Sequence, residues 1–292
     1  MLFIVLPAYN EEEGLQALLE NTEKACSGLP YRIIGVDDGS RDQTGTIIRD
    51  YAFRSERVEA VSHGENRGLG PALLSGFRRA LEYKHDGWAE NGGPAGGETA
   101  GDPWPDAIVT LDADNTHSPE LIPLLYQRIR EGDDLVIASR YTPGGRQRGL
   151  SLLRRFLSRA AGTVMKCAFP LPGIRDYSCG FRAYRLGLVR KGFAAYGERL
   201  IESTNFSATV ELLLKLAPFC RGWSEVPFEL RYDRKRGASK MKIWATISGY
   251  VALIFRHRRL TAYGGFRERS ADWSADWSKD GPKDGPKEWA EE

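Results

Sequence analysis

The sequence contains no apolar run approaching the roughly 18 residues that a membrane-spanning helix requires. Its N-terminus has no signal-peptide pattern either. The apolar stretch Leu2–Leu6 lacks a basic start and is stopped by Pro7. Cysteine is scarce, at four in 292 residues, and no two fall at a CxxC spacing. That excludes the usual zinc and redox motifs and points to reduced, mostly buried thiols. The four histidines (63, 85, 117, 257) are scattered and suggest no catalytic set. No helix-turn-helix, RNP or zinc pattern is present, so nucleic-acid binding is not expected. Net charge is only +2, so whole-chain charge does not identify a partner.

What is present is an alternation of strand-like and helix-like segments through the first 140 residues. Leu2–Leu6 has strand length. Asn10 reads as a helix N-cap, and Leu15, Leu18, Leu19 and Thr22 follow at helical spacing. Arg32–Val36 is a second strand ending in Asp37-Asp38-Gly39-Ser40, and Ser40 with Gln43 has capping-box spacing for the next helix. Arg57–Val61, Ala107–Leu111 and Leu135–Ser139 read as further strands. A helix carrying Leu73, Leu74, Phe77 and Leu81 lies between the first two of these, and Ser118-Pro119 opens another. Such alternation implies an α/β fold with a mostly parallel central sheet flanked by helices. Sheets of this kind bind ligands beyond the carboxyl ends of their strands. The polar clusters Tyr9-Asn10-Glu11, Asp37-Asp38 and Asp112-Ala113-Asp114 all follow strands there.

Asp112 and Asp114, one residue apart after a strand, can offer two oxygens to a hard divalent cation. A diphosphate and water would complete the coordination of Mg²⁺ or Mn²⁺. The alternative is an Asp-rich turn that binds nothing.

The motifs Leu-Pro-Ala-Tyr-Asn-Glu (6–11), Val-Asp-Asp-Gly-Ser (36–40), Leu-Asp-Ala-Asp (111–114) and Ala-Ser-Arg-Tyr (138–141) occur in order. Asp-Tyr-Ser-Cys-Gly-Phe-Arg-Ala-Tyr (176–184) and Gly-Ala-Ser-Lys (237–240) follow them. Over about residues 2–255 the chain resembles family 2 glycosyltransferases, in particular the dolichol-phosphate mannosyltransferase and polyprenyl-phosphate glycosyltransferase branch. The resemblance implies the GT-A nucleotide-diphospho-sugar transferase fold. It also implies inverting transfer of a hexose, mannose from GDP-mannose foremost, onto a dolichyl or polyprenyl phosphate. Other donors such as UDP-glucose, other acceptors, and an inactive nucleotide-sugar-binding protein stand as alternatives.

The resemblance also implies residue roles. Pro7, Tyr9, Glu11, Val36 and Asp38 would form the nucleotide pocket. Asp112 and Asp114, with the Ala113 backbone close by, would hold metal and diphosphate. Arg140, Arg234 and Lys240 would lie around the donor phosphates and acceptor, and Arg154 and Ser158 would grip the acceptor phosphate. Some members carry a third metal ligand, Gln, where this chain has Thr116, whose hydroxyl can still ligate the metal or be replaced by water. A phosphate acceptor is already anionic near neutral pH, so no strong general base is needed. Catalysis would rest on positioning and on stabilising the departing diphosphate, with a β-linked product from an α-linked donor. A saccharide or protein acceptor would call for a carboxylate base, for which only Asp176 and Glu211 come into consideration.

Charge clustering agrees with a phosphate acceptor. Six arginines and no acid lie between Arg140 and Arg159, and five basic residues and no acid between Arg234 and Lys242. Ile243, Trp244, Ile247, Tyr250, Val251, Ile254 and Phe255 make one helical stripe between Lys240/Lys242 and Arg256/Arg258/Arg259. That stripe suits either an interfacial helix on an anionic membrane or a helix packed on the core. The expected organisation is a catalytic domain over 1–235, interrupted by a Gly/Pro-rich surface insertion at 85–106. A basic loop and amphipathic helix would follow over 236–266, then a disordered tail over 267–292 built on Ala-Asp-Trp-Ser and Lys-Asp-Gly-Pro duplications. The expected location is the cytosolic face of a membrane, held peripherally, with a membrane-anchoring partner protein as a further possibility.

Overall fold

The computed structural model describes residues 1–83, 105–235 and 243–257. The 85–106 insertion (apart from Pro105 and Asp106), Lys240 and the C-terminal duplications lie outside the described residues. The chain runs β1 (Leu2–Ala8), α1 (Glu12–Ala25), β2 (Tyr31–Asp37), α2 (Thr44–Arg54), β3 (Val58–Ser62), α3 (Leu69–Glu82), β4 (Ala107–Thr110), α4 (Ile122–Arg130) and β5 (Leu135–Ser139). There follow β6 (Arg146–Arg148), α5 (Leu152–Ala168), β7 (Arg182–Arg185), α6 (Leu186–Tyr196), α7 (Ser207–Leu216), β8 (Trp223–Pro227), β9 (Glu229–Arg231) and α8 (Ile243–His257).

Seven strands form one sheet in the order β3-β2-β1-β4-β7-β5-β8, and β6 pairs with β9 in a small second sheet. The pairs β3–β2, β2–β1, β1–β4 and β5–β8 are parallel, while β7 is antiparallel to both β4 and β5. The central strands read as continuous apolar runs because both faces are covered by helices. Leu2, Ile4, Val5 and Leu6 of β1, and Ile108 and Val109 of β4, are completely buried.

Strand order reverses beside β1. The chain steps outward from β1 to β2 and β3, then returns to lay β4 on β1's other side. Ligand crevices form at such switch points. Because β5 runs antiparallel to β7, and β7 antiparallel to β4, β5 points the same way as β4. The ends of β1, β2, β4 and β5 therefore deliver Tyr9, Asp38, Asp112 and Arg140 to one edge of the sheet.

Two expected caps are replaced. Asn10 takes a left-handed conformation (φ 52°) and accepts from the Arg41 N–H with its side chain, so α1 starts after Glu11 instead. Ser40 accepts from the Asn10 N–H, and α2 begins at Thr44, whose own N–H is taken by Asp42. Both side chains stitch the β1–α1 and β2–α2 loops together, which shapes the sheet edge more than the helix ends.

α8 packs against α5 and α7. Thr246, Tyr250, Leu253 and His257, at helical spacing, are buried, while Val251 and Phe255 are exposed and Ile254 is half-buried. The stripe foreseen from the sequence is thus divided between a packed edge and an open one.

Candidate active site

The Asp112–Asp114 turn follows β4 and is clamped from three sides. Asn115, in a left-handed conformation (φ 60°), donates from its side chain to the Gly14 carbonyl at 2.7 Å. A Cβ on Gly14 would fall 2.3 Å from that amide, so only glycine lets α1 approach the turn this closely. Thr116 accepts through its carbonyl from the Arg231 N–H at 3.0 Å, which ties the turn to the end of β9. On the third side, Thr110 donates to the Gly180 carbonyl at 2.6 Å.

The two carboxylates differ in environment. The Asp112 N–H donates to His117 Nδ1 at 3.1 Å, and His117 Nε2 lies 3.9 Å from the Asp112 carboxylate. His117 is buried, stacked on Phe181 at 5.3 Å and edge-on to Phe228 at 5.2 Å. Burial raises the Asp112 carboxyl above its ordinary value, and Asp114 beside it adds to the shift. Burial also opposes ionisation of Asp114, but His117, Lys235 and the Thr116 hydroxyl outweigh it and hold Asp114 below the ordinary range. Asp114 Oδ1 accepts from the Thr116 N–H at 3.1 Å and the Thr116 hydroxyl at 2.6 Å, and Oδ2 pairs with the Lys235 ammonium at 2.6 Å.

Two carboxylates and a hydroxyl are hard oxygen donors that suit Mg²⁺ or Mn²⁺. Among the described residues no group of three or more His, Cys, Asp or Glu side chains is placed to hold a metal. Thr116, foreseen as a third ligand, uses its hydroxyl to orient Asp114.

Other expected site residues are distributed less simply. Pro7, Tyr9 and Glu11 lie half-buried at the end of β1. Burial opposes the charge on Lys235, but Asp114, with Glu11 adding to it, outweighs burial and raises the basicity of that lysine. Val36 and Ala113 are buried and sit beneath the surface of the crevice. Asp38 is also buried and turned into the protein. It accepts from the Arg67 and Gly68 N–H groups at 3.0 and 2.7 Å and pairs with His63 at 2.7 Å, so it holds the loop before α3. Gly68 in that loop has φ 96°, and a Cβ there would lie 2.1 Å from the Thr204 carbonyl oxygen.

Arg140 is not free to grip a ligand as a bare cation. Its Nε and Nη2 donate to Asp176 at 2.8 Å each, and Nη2 also donates to Ser178 at 2.7 Å. Asp176 is fully buried. Although burial disfavours its ionised form, Arg140 holds its carboxyl below the ordinary range. Glu211 is fully buried too, 2.7 Å from Lys215, and accepts from the Glu202 and Ser203 N–H groups. Both candidate bases are consumed within the protein.

Arg154 and Ser158 stand one turn apart on α5 and reach the same region through two tyrosines. Arg154 donates to the Tyr232 hydroxyl at 2.7 Å, and the Ser158 and Tyr141 hydroxyls lie 2.8 Å apart. Tyr232 is three residues before Lys235, whose ammonium is 5.8 Å from the Tyr232 ring. A polar row therefore runs Asp114–Lys235–Tyr232–Arg154. Arg234, expected at the donor phosphates, is exposed at the end of a short 3-10 turn (Tyr232–Arg234), and its neighbour Lys235 makes the contact with Asp114. Lys235, Tyr232 and His117 escaped the sequence reading. His117 stands only three residues past Asp114, which was the one available clue. Lys235 was hidden in a run of equivalent basic residues.

A nucleotide-diphospho-sugar transferase of the GT-A class combines such a sheet with such a turn at its switch point. The profile described as "Glycosyl transferase family 2" matches residues 3–82 and 98–193. The chain belongs to glycosyltransferase family 2, in its dolichol-phosphate mannosyltransferase and polyprenyl-phosphate glycosyltransferase branch. It is 32% identical over 254 residues to a dolichol-phosphate mannosyltransferase of Pyrococcus furiosus, covering 87% of this chain and 62% of that longer relative. It is 30% identical to a polyprenol monophosphomannose synthase of Mycolicibacterium smegmatis, over 82% of this chain and 80% of the relative. An undecaprenyl-phosphate mannosyltransferase of Micrococcus luteus is also 30% identical, with 81% and 86% covered. Among solved structures, glucosyl-3-phosphoglycerate synthase from Mycobacterium tuberculosis, in complex with Mn²⁺, UDP and glucosyl-3-phosphoglycerate, superposes with a TM-score of 0.57. Identity there is 17%, over 91% of this chain and 81% of that one, which establishes the shared fold.

Proposed function

We propose that the protein is an inverting glycosyltransferase that moves mannose from GDP-mannose onto a dolichyl or polyprenyl phosphate. The observation that carries this reading is the row from the Asp112–Asp114 turn through Lys235 and Tyr232 to Arg154. In this reading the row would carry the acceptor phosphate beside the metal and diphosphate. The names of the relatives support the acceptor class, since mannosyl and 4-deoxy-4-formamido-L-arabinose transferases at 29–33% identity include undecaprenyl-phosphate enzymes among both.

On the donor side, Pro7, Tyr9 and Glu11 would line the nucleotide pocket over a floor that includes Val36 and Ala113. Asp38 would act by fixing the Arg67–Gly68 loop. Asp112 and Asp114 would hold a divalent cation, with Thr116 orienting Asp114. When bound, that cation supplies Lewis-acid stabilisation of the departing diphosphate. Arg234 and Lys240, the latter outside the described residues, would complete the donor assignment. On the acceptor side, Arg154 and Ser158 would receive the phosphate monoester, oriented by Tyr232 and Tyr141. The monoester is already anionic, which agrees with Asp176 and Glu211 both being locked in ion pairs. Arg140, neutralised by Asp176, would act by fixing the end of β5 and the 176–178 segment beside the site.

The lipid would arrive across α5 and α8. Leu152 and Phe156 on α5 and Val251 and Phe255 on α8 are exposed, with Arg155 and Arg256 alongside. Exposed apolar side chains flanked by arginine suit the interface of an anionic bilayer. No helix among the described residues is long and apolar enough to cross a membrane. Peripheral attachment at the cytosolic face belongs to this proposal.

The test is a partition assay. Purified full-length protein is incubated with radiolabelled GDP-mannose or UDP-glucose, polyprenyl phosphate and Mg²⁺ or Mn²⁺. Label should enter the organic phase only when polyprenyl phosphate is present, and faster from GDP-mannose. Label released solely to water, or transferred to a saccharide, would refute the acceptor. Faster transfer from another nucleotide-sugar would refute the mannose assignment alone.

A further inference from the structure

Lys235 is a cation that the site contains as part of its own chain. Its ammonium is 2.6 Å from Asp114 Oδ2, and the side chains of the pair are only 11% and 12% exposed. The other carboxylate oxygen is already committed, because Oδ1 accepts both the N–H and the hydroxyl of Thr116. Any further cation that Asp114 coordinates must therefore come to Oδ2, where the ammonium stands. Two cations on one nearly dry oxygen repel each other strongly.

Lys235 also has little room to leave. The Arg231 N–H is bonded to the Thr116 carbonyl, so the segment carrying Lys235 is fastened to the same turn as Asp114. Displaced from Oδ2, the ammonium stays within a side chain's reach of the turn, near Tyr232 and the Arg154 that Tyr232 binds.

We propose that Lys235 is a resident counter-ion which competes with the divalent cation for Asp114 Oδ2, and which is handed to a phosphate oxygen when cation and nucleoside diphosphate bind together. This rests on the reading of Asp112 and Asp114 as the metal–diphosphate site. Cation alone would take the nearly buried ammonium off its hydrogen-bonded carboxylate and leave it only the field of Glu11. Cation with diphosphate brings the anion that re-pairs it. The lysine thereby couples the two ligands beyond their direct contact and favours entry of the cation together with the nucleotide.

The experiment measures Mn²⁺ binding to the full chain by electron paramagnetic resonance, first alone and then with GDP or UDP as probes. Lys235→Met removes the competing charge and should bind Mn²⁺ alone about tenfold tighter than the unaltered protein, the scale of one lost charge-assisted hydrogen bond. Lys235→Arg should bind as the unaltered protein does. The gain in Mn²⁺ affinity on adding either nucleotide should be smaller in Lys235→Met. Lys235→Gln serves as a second neutral variant should the methionine variant melt early. If the neutral variants bind Mn²⁺ no tighter while Asp114→Asn loses it, the metal site stands and the competition is refuted. If Asp114→Asn binds Mn²⁺ unchanged, the metal site itself is wrong and the role of Lys235 falls with it.

Discussion

Asp176→Asn should cost the protein a large part of its stability, because it removes the charge paired directly with the largely buried Arg140 guanidinium. Asp176 Oδ2 accepts from the Arg140 N–H at 3.1 Å and from Nε at 2.8 Å. Oδ1 accepts from Arg140 Nη2 at 2.8 Å and from the N–H groups of Ser178 and Cys179 at 3.2 and 3.0 Å. Whichever way an asparagine amide is turned, its NH₂ faces at least two donors and no acceptor. Breaking one partner of a buried ion pair typically costs about 3–5 kcal/mol. In a protein of this size that corresponds to a fall in Tm of roughly 10 °C. Arg140→Met added to Asp176→Asn removes the stranded charge and should recover part of the loss. Thermal unfolding by circular dichroism reads both variants, and turnover is then measured well below each midpoint. An Asp176→Asn protein that melts like the unaltered one but has lost activity would refute this reasoning and return Asp176 to the role of a catalytic base.

Arg154→Ala should raise the apparent KM for polyprenyl phosphate at least tenfold and leave nucleotide affinity nearly unchanged, as kinetics and calorimetry can show; loss of donor binding instead would reverse the two roles. Glu211 is pulled down to about 2 from 4.5, because His257, Lys215 and the Ser203 N–H outweigh the burial that opposes its ionisation. A depressed carboxyl stabilises the fold fully above its unfolded value and loses that contribution as pH falls toward the folded one. Between about pH 4.5 and 2, Glu211→Gln should therefore show a flatter decline in unfolding free energy than the unaltered protein, by an amount on the order of 3 kcal/mol; parallel declines would contradict the assignment. Phe156→Ser with Phe255→Ser should reduce flotation with anionic liposomes at every salt concentration, whereas Arg155→Glu should reduce it mainly at low salt. If the unaltered protein fails to float at low salt, a partner protein must bring it to its lipid.

The sequence by itself determined the α/β class and the mostly parallel, helix-covered sheet. Apolar runs of strand length, each followed by polar residues, can be buried on both faces only as the inner strands of a helix-covered sheet. That puts Tyr9, Asp38 and Asp112 at the carboxyl ends of their strands, while the order that makes β2, β1 and β4 neighbours is a tertiary fact. The spacing of Asp112 and Asp114 is likewise local, because a two-residue offset in a tight turn needs no distant partner. Tertiary structure alone decided which charges are available. Arg140 and Asp176 are 36 residues apart, and Asp114 and Lys235 are 121 apart. No periodicity records either pairing, since a charge in a sequence looks the same whether it meets a ligand or a buried partner. The antiparallel insertion of β7 between β4 and β5 was equally hidden, because it depends on hydrogen bonds to strands far along the chain. The division of the α8 stripe into a packed edge and an exposed one followed from where α5 and α7 lie, since a helix's pattern shows which side is apolar but not what covers it.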